Sequence, residues 1–114
     1  MHEELKTFRT LDLDESAEMV SAAESWLYGF IVSNTNAAAR FLKVYDKAEA
    51  ADETDTPVLT LRLLPTSNEH FSISNGIRFV NGISVRATTG VADNDTGAPS
   101  ANDVLLTAIY WDNA

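Results

Sequence analysis

The chain has no cysteine, only two histidines and three prolines, and no apolar run approaching the length of a membrane span. The first absence removes thiol nucleophiles, thiolate zinc sites and a disulfide scaffold together. With His2 and His70 the only imidazoles, a Ser-His-Asp triad would rest on His70 alone, and no Gly-x-Ser-x-Gly elbow accompanies it. Basic residues are scarce as well: eight Lys and Arg stand against seventeen Asp and Glu, a formal charge of −9. The cation-for-phosphate exchange that drives nucleic-acid binding is therefore missing. An anionic membrane is an equally poor partner. The start Met1-His2-Glu3-Glu4 lacks the basic residues and apolar stretch of a secretory signal, so the chain is expected to be made and kept in a cytosol.

What remains is 114 residues that are 45% apolar. That suffices for one domain with a radius of gyration of roughly 13 Å and a core that needs no staple. Period-two alternation dominates, as for strands with two unlike faces. Residues 7–13 read as a first strand and 18–22 as a weak second, although 14–24 also reads as a helix capped by Asp14 or Ser16. The strongest strand begins at Trp26, where Trp26, Tyr28, Phe30 and Val32 alternate with Leu27, Gly29, Ile31 and Ser33. After the turn residues 33–36 come a strand at 38–46 and a solvated acidic loop at 48–56. Pro57 and Pro65 bracket another strand, and a short one is expected at 70–74. Asn75-Gly76 and Asn81-Gly82 suit tight turns, leaving residues 77–80 as an edge segment or bulged corner. Strands at 83–88 and 104–111 flank a long loop, 90–103.

About seven or eight strands with little helix and regular turn signals predict an all-β, antiparallel β-sandwich of jelly-roll or Ig-like topology. Residues 1–24 would be an arm or first strands and 25–114 the sandwich, a single domain overall. Some strands are apolar on both faces, which points either to ordinary surface scatter or to a sheet face covered by another subunit.

The chemistry is thin. Asp12 with Asp14, or Asp93 with Asp95, could pair as acid and base, but such pairs arise by chance among seventeen acids. His70 reads as a solvated residue at a strand start. Asp93-Asn94-Asp95-Thr96-Gly97 resembles the opening of a calcium loop, with Asp103 where a closing Glu is expected; a hydrogen-bonded acidic turn explains it better. Arg40-Phe41-Leu42-Lys43-Val44-Tyr45 fits a half-buried strand with a snorkelling lysine rather than a base-stacking platform. No cofactor and no enzyme activity are expected.

Four blocks carry a resemblance: Trp26-Leu27-Tyr28-Gly29-Phe30-Ile31-Val32-Ser33-Asn34-Thr35-Asn36; Ala39-Arg40-Phe41-Leu42-Lys43-Val44-Tyr45-Asp46-Lys47-Ala48; Asp55-Thr56-Pro57-Val58-Leu59-Thr60-Leu61; and residues 88–104, centred on Thr89-Gly90-Val91-Ala92-Asp93-Asn94-Asp95-Thr96-Gly97-Ala98-Pro99. They are similar to small virion proteins of tailed bacteriophages. The resemblance implies a non-enzymatic structural protein, synthesised in the bacterial host cytoplasm and placed on the capsid surface as cement or decoration. The implied partners are the major capsid protein and further copies of itself, as dimer or trimer. Trp26, Tyr28, Phe30, Tyr110 and Trp111 are the expected subunit or capsid contacts, with residues 1–24 reaching a neighbour. The alternative is a tail-fibre or adhesion-knob module whose loop 90–103 meets a surface glycan, although that loop has no Trp or Tyr.

Overall fold

In the computed structural model, which describes residues 4–114, eight strands follow one another: β1 (Lys6–Thr10), β2 (Glu18–Ser21), β3 (Ser25–Asn34), β4 (Arg40–Asp46), β5 (Leu59–Leu63), β6 (Ser67–Phe79), β7 (Ile83–Thr88) and β8 (Val104–Asp112). They form two antiparallel four-stranded sheets, ordered β1-β8-β3-β6 and β2-β7-β4-β5. Each strand of the first half pairs with its counterpart counted from the other end: β1 with β8, β2 with β7, β3 with β6 and β4 with β5. The chain is thus one long hairpin rolled up, and the β3–β8 and β4–β7 pairings close the roll. This is jelly-roll order, which settles the choice left open between jelly-roll and Ig-like topology. The radius of gyration is 13.1 Å.

The core lies between the sheets, with Leu27, Phe30 and Val32 of β3 and Leu106 and Ala108 of β8 facing Leu42 and Val44 of β4 and Val85 and Ala87 of β7. Of the expected arm over 1–24, residues 1–3 lie outside the described residues, and residues 6–21 are part of this body rather than a separate arm. β1 and β2 pair as the first strand of each sheet, the helix over 14–24 does not form, and Leu13 and Val20 are buried in the core.

Strict alternation fails at Tyr28. Against β8, Leu27 pairs with Tyr110 and Gly29 with Ile109, so Tyr28 is the extra residue of a β-bulge. Beyond the bulge the phase reverses, and Phe30 and Val32 join Leu27 on the inner face. The expectation that Trp26, Tyr28 and Phe30 share one face is corrected accordingly. Phe30 is 5% exposed and belongs to the core. Tyr110, opposite Leu27, also packs against the core, so of Tyr110 and Trp111 only Trp111 faces outward.

The partner strand accommodates the same irregularity. On β6, Ile77 pairs with Leu27 and Ser72 with Gly29, which leaves residues 73–76 opposite Tyr28 alone. Asn75-Gly76 is therefore a bulge inside one long strand, not a turn ending a short one at 70–74. Gly76 adopts φ 73°, open to glycine without steric cost, and a β-carbon there would stand 3.2 Å from Tyr28 and 3.3 Å from Trp26. Gly29 is needed for a different reason: a β-carbon there would stand 2.4 Å from the backbone oxygen of Phe71. Asn81-Gly82 does form the β6–β7 connection, where the Asp46 carboxylate accepts the N–H groups of Val80 at 3.1 Å and Asn81 at 2.8 Å.

Two buried carboxylates tie chain segments together. Asp112 accepts from Lys6 Nζ at 2.6 Å and Ser21 Oγ at 2.5 Å, joining β8 to β1 and β2. Asp103 accepts from Arg40 Nε, Asn36 Nδ2 and the Ser100 N–H. Burial raises both carboxyls, but these hydrogen bonds and the cations prevail and hold both below the usual value of 3.8. The unfolded chain therefore takes up protons near pH 3.8 that the folded one still refuses. Stability from these groups is complete above that pH and is lost as pH falls through the lowered folded values. Urea midpoints across the acid range are expected to drop steeply for the native sequence. The drop should be shallower for Asp103→Asn and Asp112→Asn, each less stable at neutral pH by about 1–3 kcal/mol.

Candidate functional site

The two sheets differ in what covers their outer faces. On the β2-β7-β4-β5 sheet, Lys43 pairs with Arg86, Tyr45 with Ser84 and Phe41 with Thr88 on the side away from the core. Lys43, Ser84 and Thr88 are 0% exposed and Tyr45 and Arg86 1%. The long connections bury them. The Ala51 N–H donates to Ser84 Oγ at 3.0 Å from the 47–58 segment, and Lys43 Nζ donates to the Ala92 carbonyl. Arg86 donates from Nε to the Glu15 carbonyl at 2.8 Å, from one terminal nitrogen to Tyr45 Oη at 3.0 Å, and from the other to the Asp95 carbonyl at 3.1 Å. Arg86 thus pins three segments with neutral acceptors only. Burial, then Arg86, push the Lys43 ammonium below its usual pKa, and burial raises the Tyr45 hydroxyl. Lys43 does not snorkel as expected, because the loop closes over it.

That loop was the candidate calcium site and the candidate glycan contact. Two of its acidic side chains serve the fold instead. Asp95 Oδ1 accepts the N–H groups of Gly97 at 2.7 Å and Gly90 at 3.2 Å, while Asp103 is held by Arg40, Asn36 and Ser100 as described. Asp93, Asp95 and Asp103 do not assemble: among the described residues no group of three His, Asp or Glu is placed to hold a metal ion. Asp12 and Asp14 likewise accept backbone N–H groups, from Asn102 and Ser16. His70 is an exposed residue on β6.

The β1-β8-β3-β6 sheet presents the opposite picture. Register places Thr7 and Arg9 of β1, Leu105, Thr107, Ile109 and Trp111 of β8, and Trp26, Gly29, Ile31 and Ser33 of β3 on its outer side. β6 adds Asn68, His70, Ser72 and Arg78. None of these positions is Asp or Glu, in a chain with seventeen acids. Trp26 and Trp111 stack at 5.6 Å between ring centroids, Ile31 is 50% exposed, and Arg9 borders a dent of about 170 Å³ lined by Ile31, Ser33, Leu105 and Thr107. Arg78, at one margin, pairs with Glu24. Among the described residues an acid-free aromatic face thus lies open on this sheet, whereas on the other sheet the connections bury Lys43 and Tyr45 of β4 and the outer residues of β7 and leave Thr60 and Arg62 of β5 exposed. Between the edge strands β5 and β6 a separate apolar cleft of about 320 Å³, lined by Phe30, Leu59, Leu61, Phe71, Ile73 and Ile77, opens toward the core.

Of the expected contact residues, Trp26 stacks with Trp111 and lies with Tyr28 against Gly76, whereas Phe30 and Tyr110 turn inward. The buried Lys43–Arg86 cluster was not legible as such in the sequence. Its only signal was two cations at period-two positions in otherwise apolar strands. No family model matches this chain, and no curated protein does.

Proposed function

We propose that this protein is a non-enzymatic structural component of a tailed-phage virion, a capsid cement that binds the outer shell between capsomers and associates with copies of itself. The observation that carries the reading is the contrast between the two outer sheet faces. A chain of net charge −9 repels its own copies almost everywhere. The acid-free face bearing Trp26, Tyr28 and Trp111 is where two copies can meet without bringing carboxylates together, and it supplies aromatic anchors of the type that dominate interfaces. The sequence blocks similar to small virion proteins support the same reading. The jelly-roll fold agrees with it but serves other functions equally, so it adds little. A cement that binds only the assembled shell stabilises it by mass action, with modest contacts multiplied by lattice symmetry.

The test is the number of copies per purified particle, by quantitative mass spectrometry against the major capsid protein. Hundreds of copies are expected. A few to a few dozen would place the protein in the tail or fibres and overturn the cement reading in favour of an adhesion module.

A further inference from the structure

The two Asn-Gly pairs sit in different surroundings in this fold. Asn-Gly is the dipeptide most open to deamidation, because glycine neither shields its own amide nor restricts the backbone. The glycine nitrogen, once deprotonated, attacks the asparagine side-chain carbonyl carbon. A C–N bond forms and the amide leaves as ammonia. Water then opens the resulting succinimide at either carbonyl, giving aspartate or isoaspartate, about one dalton heavier than the starting residue. The reaction needs a side chain free to approach the following nitrogen and an amide able to lose its proton.

At Asn81-Gly82 both needs are blocked. The Asp46 carboxylate accepts the Asn81 N–H at 2.8 Å and lies 3.4 Å from the Gly82 nitrogen, and a negative charge at that place opposes deprotonation. The Gly82 carbonyl accepts the Lys47 N–H at 3.2 Å. The Gly82 α-carbon is also wedged: an added β-carbon would stand 2.6 Å from the Ser21 oxygen and 2.8 Å from that of Lys47. The backbone there cannot turn without opening the β6–β7 connection. The surroundings of Asn75-Gly76 differ. Residues 73–76 lie outside the paired register of β3, Asn75 is exposed, and the close neighbours of Gly76 are side-chain atoms of Tyr28 and Trp26 rather than backbone oxygens.

We infer that Asn75 is a site of spontaneous deamidation in the folded protein and that the Asp46 cap protects Asn81. The product carries a new carboxylate beside Tyr28, at the margin of the acid-free face. The reaction itself does not depend on that face binding a second copy; only its consequence for association does.

The test incubates the full chain at mildly alkaline pH, folded or in urea, and maps both peptides by mass and by separation of aspartate from isoaspartate. In the folded protein Asn75 is expected to convert at least about tenfold faster than Asn81, which must await local opening. In urea the two rates should converge. In folded Asp46→Asn, Asn81 should speed up while Asn75 stays as it was. A folded-state ratio below tenfold, or an Asn75 slowed by folding as much as Asn81, would overturn the assignment.

Discussion

Arg86→Met is expected to lower the stability of the fold by about 3 kcal/mol or more, whereas Lys43→Met, on the neighbouring strand, should cost less than about 1 kcal/mol. Both side chains are large, cationic and buried. They differ in what their removal strands. Arg86 satisfies the Glu15 and Asp95 carbonyls and the Tyr45 hydroxyl, three groups on three segments, and methionine leaves all of them desolvated without a donor. Lys43 satisfies only the Ala92 carbonyl and keeps a charge out of water beside a second cation, so its loss removes a penalty along with a bond. For a domain whose whole stability is about 5–15 kcal/mol, the Arg86 change is a large share. It should lower Tm by roughly 10–20 °C. Amide exchange should rise first in segments 13–16 and 89–97, which Arg86 and Lys43 hold down. A loss at Arg86 no larger than at Lys43 would show that the covering connections hold themselves.

The pH dependence separates the two residues further. The Lys43 pKa lies below 10.5 in the folded protein, so between that lowered value and 10.5 the unfolded chain binds more protons. Stability from this group therefore rises with pH across that window. The difference between the native protein and Lys43→Met should shift in favour of the native protein as the buffer is made more alkaline, a comparison from which the opposing contribution of Tyr45 cancels.

Under the proposed self-association, Tyr28→Asp should lower the mass in solution while leaving the fold intact, whereas Phe30→Asp should destroy the fold. Although they stand two apart, Phe30 belongs to the core, whereas Tyr28, the extra residue of the bulge, lies with Trp26 against Gly76. An aspartate at position 28 places a carboxylate among outward positions that hold no Asp or Glu, where the proposed contact would bring two copies together. Loss of an aromatic anchor costs about 2–4 kcal/mol, a thirtyfold to thousandfold weakening. Light scattering over a concentration series reads the first effect and circular dichroism the second. A folded Tyr28→Asp protein of unchanged mass would remove the face from the subunit contact.

Much of the architecture was readable in one dimension. Alternation such as Leu59, Leu61 and Leu63 against Thr60 and Arg62 is a local signal, and β5 buries its residues in that order. The asparagine turn before β4, the prolines around β5 and the featureless loops also lie where their chemistry puts them, because turn residues act on their own backbone. The missing cysteine, the scarce histidine and the acidic balance likewise belong to the sequence alone.

Tertiary structure decided the faces. A bulge inserts one residue into a two-residue period, and whether it does so depends on the strands alongside, here β6 and β8 against Tyr28. Everything after it changes side, which is why Phe30 is core and Trp26 is not. In the same way, Lys43 and Arg86 are buried because two connections, distant in sequence, settle on their sheet. Charge and pattern along a strand determine that it has two faces; only the neighbours determine which face meets water.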